Sequence, residues 1–191
     1  HEKDEFAVQE DELPSPYSFP KGPKPGSCLH EIFEQIDFTS PIVHPTNTEQ
    51  NLSEVVKRCL EKYHIGEQWR EVAEKWVLDV LACPLDNSSL DKSLLSLGVL
   101  TLSDCLVEME FNLPLESLSA PKLNEMLVKH FGFTQSKLEF SQVKGLLKGF
   151  VDLIFCYQGK YYILDYKSNY LGSTPADYEG DMLEQAMSSH Q

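Results

Sequence analysis

Asp152, Asp165 and Lys167 are the residues of this chain whose types and spacing point most directly to chemistry. They lie in GFVDLIFCYQGKYYILDYKS, residues 149–168, whose two apolar runs are rich in the Val, Ile, Phe and Tyr that favour strands. Between the runs, Gln158-Gly159 reads as a two-residue hairpin turn, because glycine accepts the positive φ such a turn requires. That turn pairs Tyr157 with Lys160 and, further along the same ladder, Asp152 with Asp165. Directly opposed residues on antiparallel strands have Cβ atoms about 5 Å apart, so the two carboxylates repel. Inside an apolar hairpin the pair is costly unless a cation binds between them. Lys167 follows two residues after Asp165 and projects from the same face. Two carboxylates on one patch suit a hard divalent cation such as Mg²⁺, and a lysine beside it can orient or deprotonate a water and steady charge on a phosphate. The bland alternative is a lysine-neutralised acidic pair in a core, which the rarity of buried charges disfavours.

Other elements must position these groups. Ser27 reads as the N-cap of a helix carrying Leu29, Ile32, Phe33 and Ile36 on one face, with His30 at the edge of the stripe. On the residues alone, His30 is a boundary histidine. Residues 51–63 and 67–81 read as two further helices separated near Gly66. In the second, Trp69 and Trp76 fit a packed helical face better than a base-stacking platform. Pro84 ends it, and Asp86 to Ser89 reads as a turn. The Leu-rich stretch 90–102 has mixed periodicity. CLVEMEFNLP, residues 105–114, alternates as a half-buried strand does and puts Glu108 and Glu110 on one face. The bland reading of both is a pair of solvent-facing glutamates. Pro121 opens another helix. Leu138–Val143 reads as a strand ahead of the hairpin. Lys144, Lys148, Lys160 and Lys167 form the densest basic group, suited either to a solvated face or to phosphate. A turn near Pro175 leads into a helix still open at Gln191.

The chain has 191 residues, enough for one domain with a substantial core, and a formal net charge of −14. Proteins that bind nucleic acid unaided are usually basic. An acidic chain that acts on DNA therefore expects another domain or subunit to deliver it. Part of the excess lies in Glu2, Asp4, Glu5, Glu10, Asp11 and Glu12, followed by Pro14, Pro16, Pro20, Pro23 and Pro25, which together read as an exposed linker. No apolar run is long enough to span a membrane. Five scattered cysteines without a CxxC argue for a reducing compartment and against a structural zinc site.

The ordered blocks GSCLHEIFE, VEMEFNLP and LKGFVDLIF…YYILDYKSNYLG closely resemble the PD-(D/E)xK nuclease signature in its RecB-type form. The resemblance covers roughly Tyr17 to Gln191. It implies an α/β fold with a mixed central β-sheet flanked by helices, the restriction-endonuclease-like core, over 17–191, with 1–16 as the linker. It implies metal-dependent hydrolysis of DNA phosphodiester bonds within a helicase–nuclease complex that acts in double-strand break repair and recombination. By resemblance, His30, Asp152 and Asp165 are metal ligands with the Tyr166 backbone carbonyl as a fourth, and Lys167 positions the water. One acidic residue of the VEMEFNLP block assists; Glu108 is favoured over Glu110, although spacing does not choose. The expected cofactor is Mg²⁺, with Mn²⁺ substituting and Ca²⁺ binding without supporting cleavage. The expected partners are DNA, a helicase domain of the same parent chain and the other subunits of a RecBCD-like complex, in the cytoplasm and without a membrane. A Gln/Tyr helical motif that the family carries further on is not in this sequence, so the domain is expected to be truncated at its C-terminal helix. A catalytically silent nuclease-fold docking domain and a stand-alone restriction-type endonuclease are the alternatives. Joint retention of Asp152, Asp165 and Lys167 argues against the first, and the acidic charge against the second.

Overall fold

Gln158 and Gly159 form the expected turn, with φ of 49° and 75°. Two successive left-handed residues give the twist that matches paired strands. The turn joins the last two of three strands, β1 (Cys105–Leu118), β2 (Val143–Tyr157) and β3 (Lys160–Leu164). These form one antiparallel sheet in the order β1-β2-β3. The fold is seen in a computed structural model that describes residues 14–39, 51–85, 95–131, 138–140 and 142–189. The acidic cluster of the first twelve residues and the turn expected at Asp86 to Ser89 lie outside the described residues.

The hairpin register is visible in its side chains. Phe155 and Tyr162 stack across the ladder with centroids 5.0 Å apart and planes 10° off parallel, on the rung the two-residue turn dictates. Carried outward, the same count brings Asp165, the first residue after β3, into line with Asp152. The resemblance implied a hairpin within a central sheet flanked by helices. Leu153 and Phe155 are buried, but Tyr161 and Ile163 on β3 are 81% and 75% exposed. Antiparallel sheets commonly leave one face to water in this way.

The chain divides into two compact units. The first comprises His1–Cys105, Phe155–Tyr162 and Tyr166–Gln191. Its described helices are α1 (Pro23–Gln35), α2 (Leu52–Lys62), α3 (Arg70–Ala82) and, near the end of the chain, a helix over Gly180–Ser189. α1 packs on α2, and α2 on α3. Cys28, Leu29, Ile32 and Phe33 of α1, Val55, Val56, Cys59 and Leu60 of α2, and Ala73, Val77 and Leu81 of α3 form the core. Asn51 caps α2 by accepting from the Ser53 N–H at 2.9 Å. Trp69 and Trp76 each meet Phe19 edge-on, at 5.5 and 5.8 Å, as packed aromatics. The proline-rich segment read as linker is folded from Pro16 onward: a 3₁₀ turn spans Pro16–Ser18 and Phe19 is buried. α1 likewise begins at Pro23, four residues before the expected cap Ser27. Gly22 is its N-cap, and proline suits the first helical position because its φ is preset and its missing N–H is not needed.

The second unit comprises Leu106–Ile154 and Ile163–Asp165. It contains most of β1 and β2 and the helix α4 (Ala120–Phe131); the Gly180–Ser189 helix is α5. The strand expected over Leu138–Val143 begins only at Val143. Leu138 cannot join a ladder because the Asn124 side-chain amide takes both of its backbone groups, each at 3.0 Å. Among the described residues, no helix is long and apolar enough to cross a membrane.

Candidate active site

β1 brings the first acidic group of the second unit into place through an unusual backbone. Glu108 has φ of 48°, in the left-handed region, in the middle of a strand. A long side chain is rarely found there, and such strain costs about 1–3 kcal/mol unless the surroundings impose it. Glu108 is half-buried, as is Asp152 on the adjoining strand β2. A carboxylate oxygen of each lies within 4.8 Å of the other. Glu110, two residues on, is exposed and otherwise engaged. It accepts from the Asn112 amide at 2.8 Å and pairs with Lys148 at 3.0 Å, and both interactions hold its carboxyl below the ordinary glutamate value.

Asp165 belongs to the same unit and is exposed just beyond the end of β3. It does not join Glu108 and Asp152 as a trio whose ligand atoms all lie within 4.8 Å. The register puts Asp165 on the rung of Asp152, and rung and side-chain approach are separate matters. Gly149, three residues before Asp152, lets β1 and β2 close up. A Cβ there would stand 2.4 Å from the Phe111 ring.

The remaining predicted residues fall in the first unit. The Tyr166 ring lies parallel to Phe33 at 4.6 Å and meets His30 edge-on at 5.9 Å. His30 and Phe33 are three apart on α1 and so share a face. That aromatic contact ties α1 to the residue directly following Asp165. Lys167 is exposed. Sequence reasoning named Glu108 without anticipating its backbone, and it did not anticipate the contacts of the Tyr166 ring. The one signal for Tyr166 was the His30/Phe33 spacing.

The donor chemistry fits a hard divalent cation. Mg²⁺ bonds oxygen at about 2.0–2.1 Å, so one ion spans carboxylate oxygens up to roughly 4 Å apart, and the Glu108 and Asp152 oxygens lie within 4.8 Å of one another. The mixed α/β fold, a three-stranded antiparallel sheet with flanking helices, is that of the restriction-endonuclease-like class. No protein-family model matches the chain. It is 38% identical to RecB, a subunit of the RecBCD enzyme, from Escherichia coli over 188 residues, 96% of this chain and 15% of that protein. It is 32% identical to the RecB subunit of Haemophilus influenzae over 169 residues, 88% of this chain and 13% of that one. With RecB of Borreliella burgdorferi it shares 29% over 170 residues. The chain belongs with the RecB subunits, as a RecB-like domain consistent with the PD-(D/E)xK superfamily. It spans about 15% of the length of the first of these relatives.

Proposed function

We propose that this chain is the DNA-cleaving domain of a RecBCD-type helicase–nuclease acting in double-strand break repair, and that it hydrolyses phosphodiester bonds with Mg²⁺. The observation that carries the reading is the half-buried Glu108–Asp152 pair, with Glu108 held in left-handed backbone. Such strain clusters where function requires it. Asp152 and Asp165 would offer carboxylate oxygens to the cation, His30 an imidazole nitrogen and Tyr166 its backbone carbonyl, with Glu108 assisting. When bound, the cation supplies Lewis-acid polarisation of the phosphate and stabilises the leaving 3′ oxygen. Lys167 would hold the attacking water in line and offset charge growing on the phosphate. Of the two glutamates, Glu108 is favoured because Glu110 already pairs with Lys148. Mn²⁺ would substitute, and Ca²⁺ would bind without supporting cleavage. The net charge of −14 opposes unaided DNA capture, so the strand is delivered by a helicase domain of the same parent chain and its partner subunits.

The test pairs two measurements on the chain: digestion of linear and plasmid DNA with and without Mg²⁺, and calorimetric titration with Mn²⁺. Lys167→Ala should lose most cleavage yet keep its affinity for Mn²⁺, because an ammonium group does not ligate a cation. Asp152→Ala should lose both. A chain that neither cleaves with Mg²⁺ nor binds Mn²⁺ would overturn the reading in favour of a silent docking domain.

A further inference from the structure

Within the second unit, the face of β2 that carries Asp152 continues beyond the acidic pair. Side chains two apart on a strand share a face, so Phe150, Lys148, Leu146 and Lys144 follow Asp152 along it. Two contacts agree with that count. The Lys148 ammonium lies 5.3 Å from the centre of the Phe150 ring, and it pairs with Glu110 of β1 at 3.0 Å, on the strand that also brings Glu108 to Asp152. The opposite face is taken up by packing: Gly149 lies against the Phe111 ring, and Leu153 and Phe155 are buried. Phe150 is 55% exposed, and Lys144 and Lys148 are exposed beside it. At about 3.4 Å of rise per residue, Lys148 stands about 13 Å along the strand from Asp152, and Lys144 as far again. The carboxylate that meets Lys148 is itself held: one Glu110 oxygen accepts from the Asn112 amide at 2.8 Å while the other takes the ammonium.

We propose that Lys148 is a positioning residue for the DNA strand, and that Glu110 is its internal counterion, occupying the ammonium until a phosphate displaces it. The inference rests on the nuclease reading, which puts the phosphate to be cut at Asp152 and therefore a neighbouring stretch of backbone along this face. Charge complementarity names the occupant. The two lysines alternate with apolar side chains in line with the acidic pair, in a chain whose net charge is −14, and an anion already sits where the phosphate would. Lysine meets phosphate as a point charge, and the Phe150 ring can lie against any base, so the contact carries no sequence preference. Both members of the Lys148–Glu110 pair are exposed, so the pair is weak enough to exchange. Two anions cannot hold one ammonium at full strength. Glu110 therefore lowers the affinity of this face for DNA, and does so only through Lys148.

The experiment titrates the 191-residue chain into fluorescein-labelled (dT)₁₂ in chelator, starting at low ionic strength, and reads anisotropy across a KCl series. Lys148→Ala should weaken binding about two- to fivefold, the size of one exposed ionic contact. It should also make the slope of log affinity against log salt shallower by about 0.7, the share of one phosphate on a single strand. Lys148→Arg should restore both. Glu110→Gln should tighten binding by a similar factor, and that gain should vanish when Lys148→Ala is added. Circular dichroism establishes that each variant is folded. No measurable binding at low salt, a Glu110→Gln chain that binds no tighter than the wild type, or a gain that survives without Lys148 would each overturn the proposal. Failure of the nuclease reading looks different: the coupling between Glu110 and Lys148 is seen in binding, but Mg²⁺ brings no cleavage.

Discussion

Replacing Glu108 by Gln tests whether the acidic pair is built for a cation. Oxygens of Glu108 and Asp152 lie within 4.8 Å of one another. Two unit charges at that distance repel by about 3 kcal/mol at an effective dielectric of 20 and by about 1 kcal/mol in bulk water. Both side chains are half-buried, so the lower half of that range applies, and relief of about 1 kcal/mol is expected in chelator. The strained φ is unchanged by the substitution and contributes nothing to the difference. In a chain of this length the gain raises the melting temperature by roughly 2–4 °C. The order reverses when the cation is added. At a hundred times its Kd a ligand stabilises the folded state by about 2.7 kcal/mol, and a tenfold weaker site forgoes about 1.4 kcal/mol of that. Thermal melts in chelator and across a Mn²⁺ series should therefore cross, with the variant above the wild type at first and below it at saturation. Glu110→Gln should show no crossing, because Glu110 pairs with Lys148 at the surface. A Glu108→Gln protein that melts below the wild type in chelator, or responds to Mn²⁺ as the wild type does, would refute the reasoning.

Three further outcomes are expected. Gly149→Ala puts a methyl group against the Phe111 ring and should cost about 1–3 kcal/mol in urea unfolding, part of it recovered by Phe111→Leu. A double-mutant cycle between Phe155 and Tyr162 should return a coupling of about 0.5–1.5 kcal/mol, and zero coupling would mean the register is wrong. Glu31 accepts hydrogen bonds from Lys62, Tyr63 and Gln35, which hold its carboxyl below the ordinary range, with Lys62 the largest contribution. A carboxyl lowered in the folded state stabilises above its unfolded value and loses that contribution as pH falls through its folded value. The stability gap between wild type and Glu31→Gln should therefore be about 1 kcal/mol at neutral pH, after allowing for the exposed Lys62, and should close as pH falls below the ordinary glutamate range.

Local chemistry made the hairpin legible in the sequence. Gln158-Gly159 can take the two left-handed conformations, and strict alternation on either side leaves one register. A helix from residue 51 was also legible, and Asn51 is its N-cap. The misreadings share a different cause, since each turned on a partner distant in the chain. Nothing within Leu138–Val143 says that Asn124, fourteen residues earlier, will take both backbone groups of Leu138. Alternation placed Glu108 on a strand face, but glutamate has no special tolerance for positive φ, so its backbone could come only from tertiary context. The proline-rich entry looked like linker because prolines favour extended chain, yet Pro23 at a first helical position and Phe19 against two tryptophans are both compatible with a fold. The candidate site residues came from the family blocks, and spacing alone did not choose between Glu108 and Glu110.

β3 is an outer strand of the described sheet and displays Tyr161 and Ile163 almost fully to water. A short apolar strand with an open edge invites pairing with another chain, and proteins guard such strands with flanking charges. Here the guards are Lys160 at one end and Asp165 at the other. Asp165 thus has a colloidal duty alongside its proposed chemical one. Neutralising it would remove a gatekeeper from KYYIL as well as a proposed ligand, so an Asp165→Ala preparation should self-associate sooner on concentration than Asp152→Ala, whose residue is half-buried within β2. Light scattering beside the cleavage assay separates loss of catalysis from loss of dispersed protein, and Asp165→Glu, which keeps the charge, should remain dispersed.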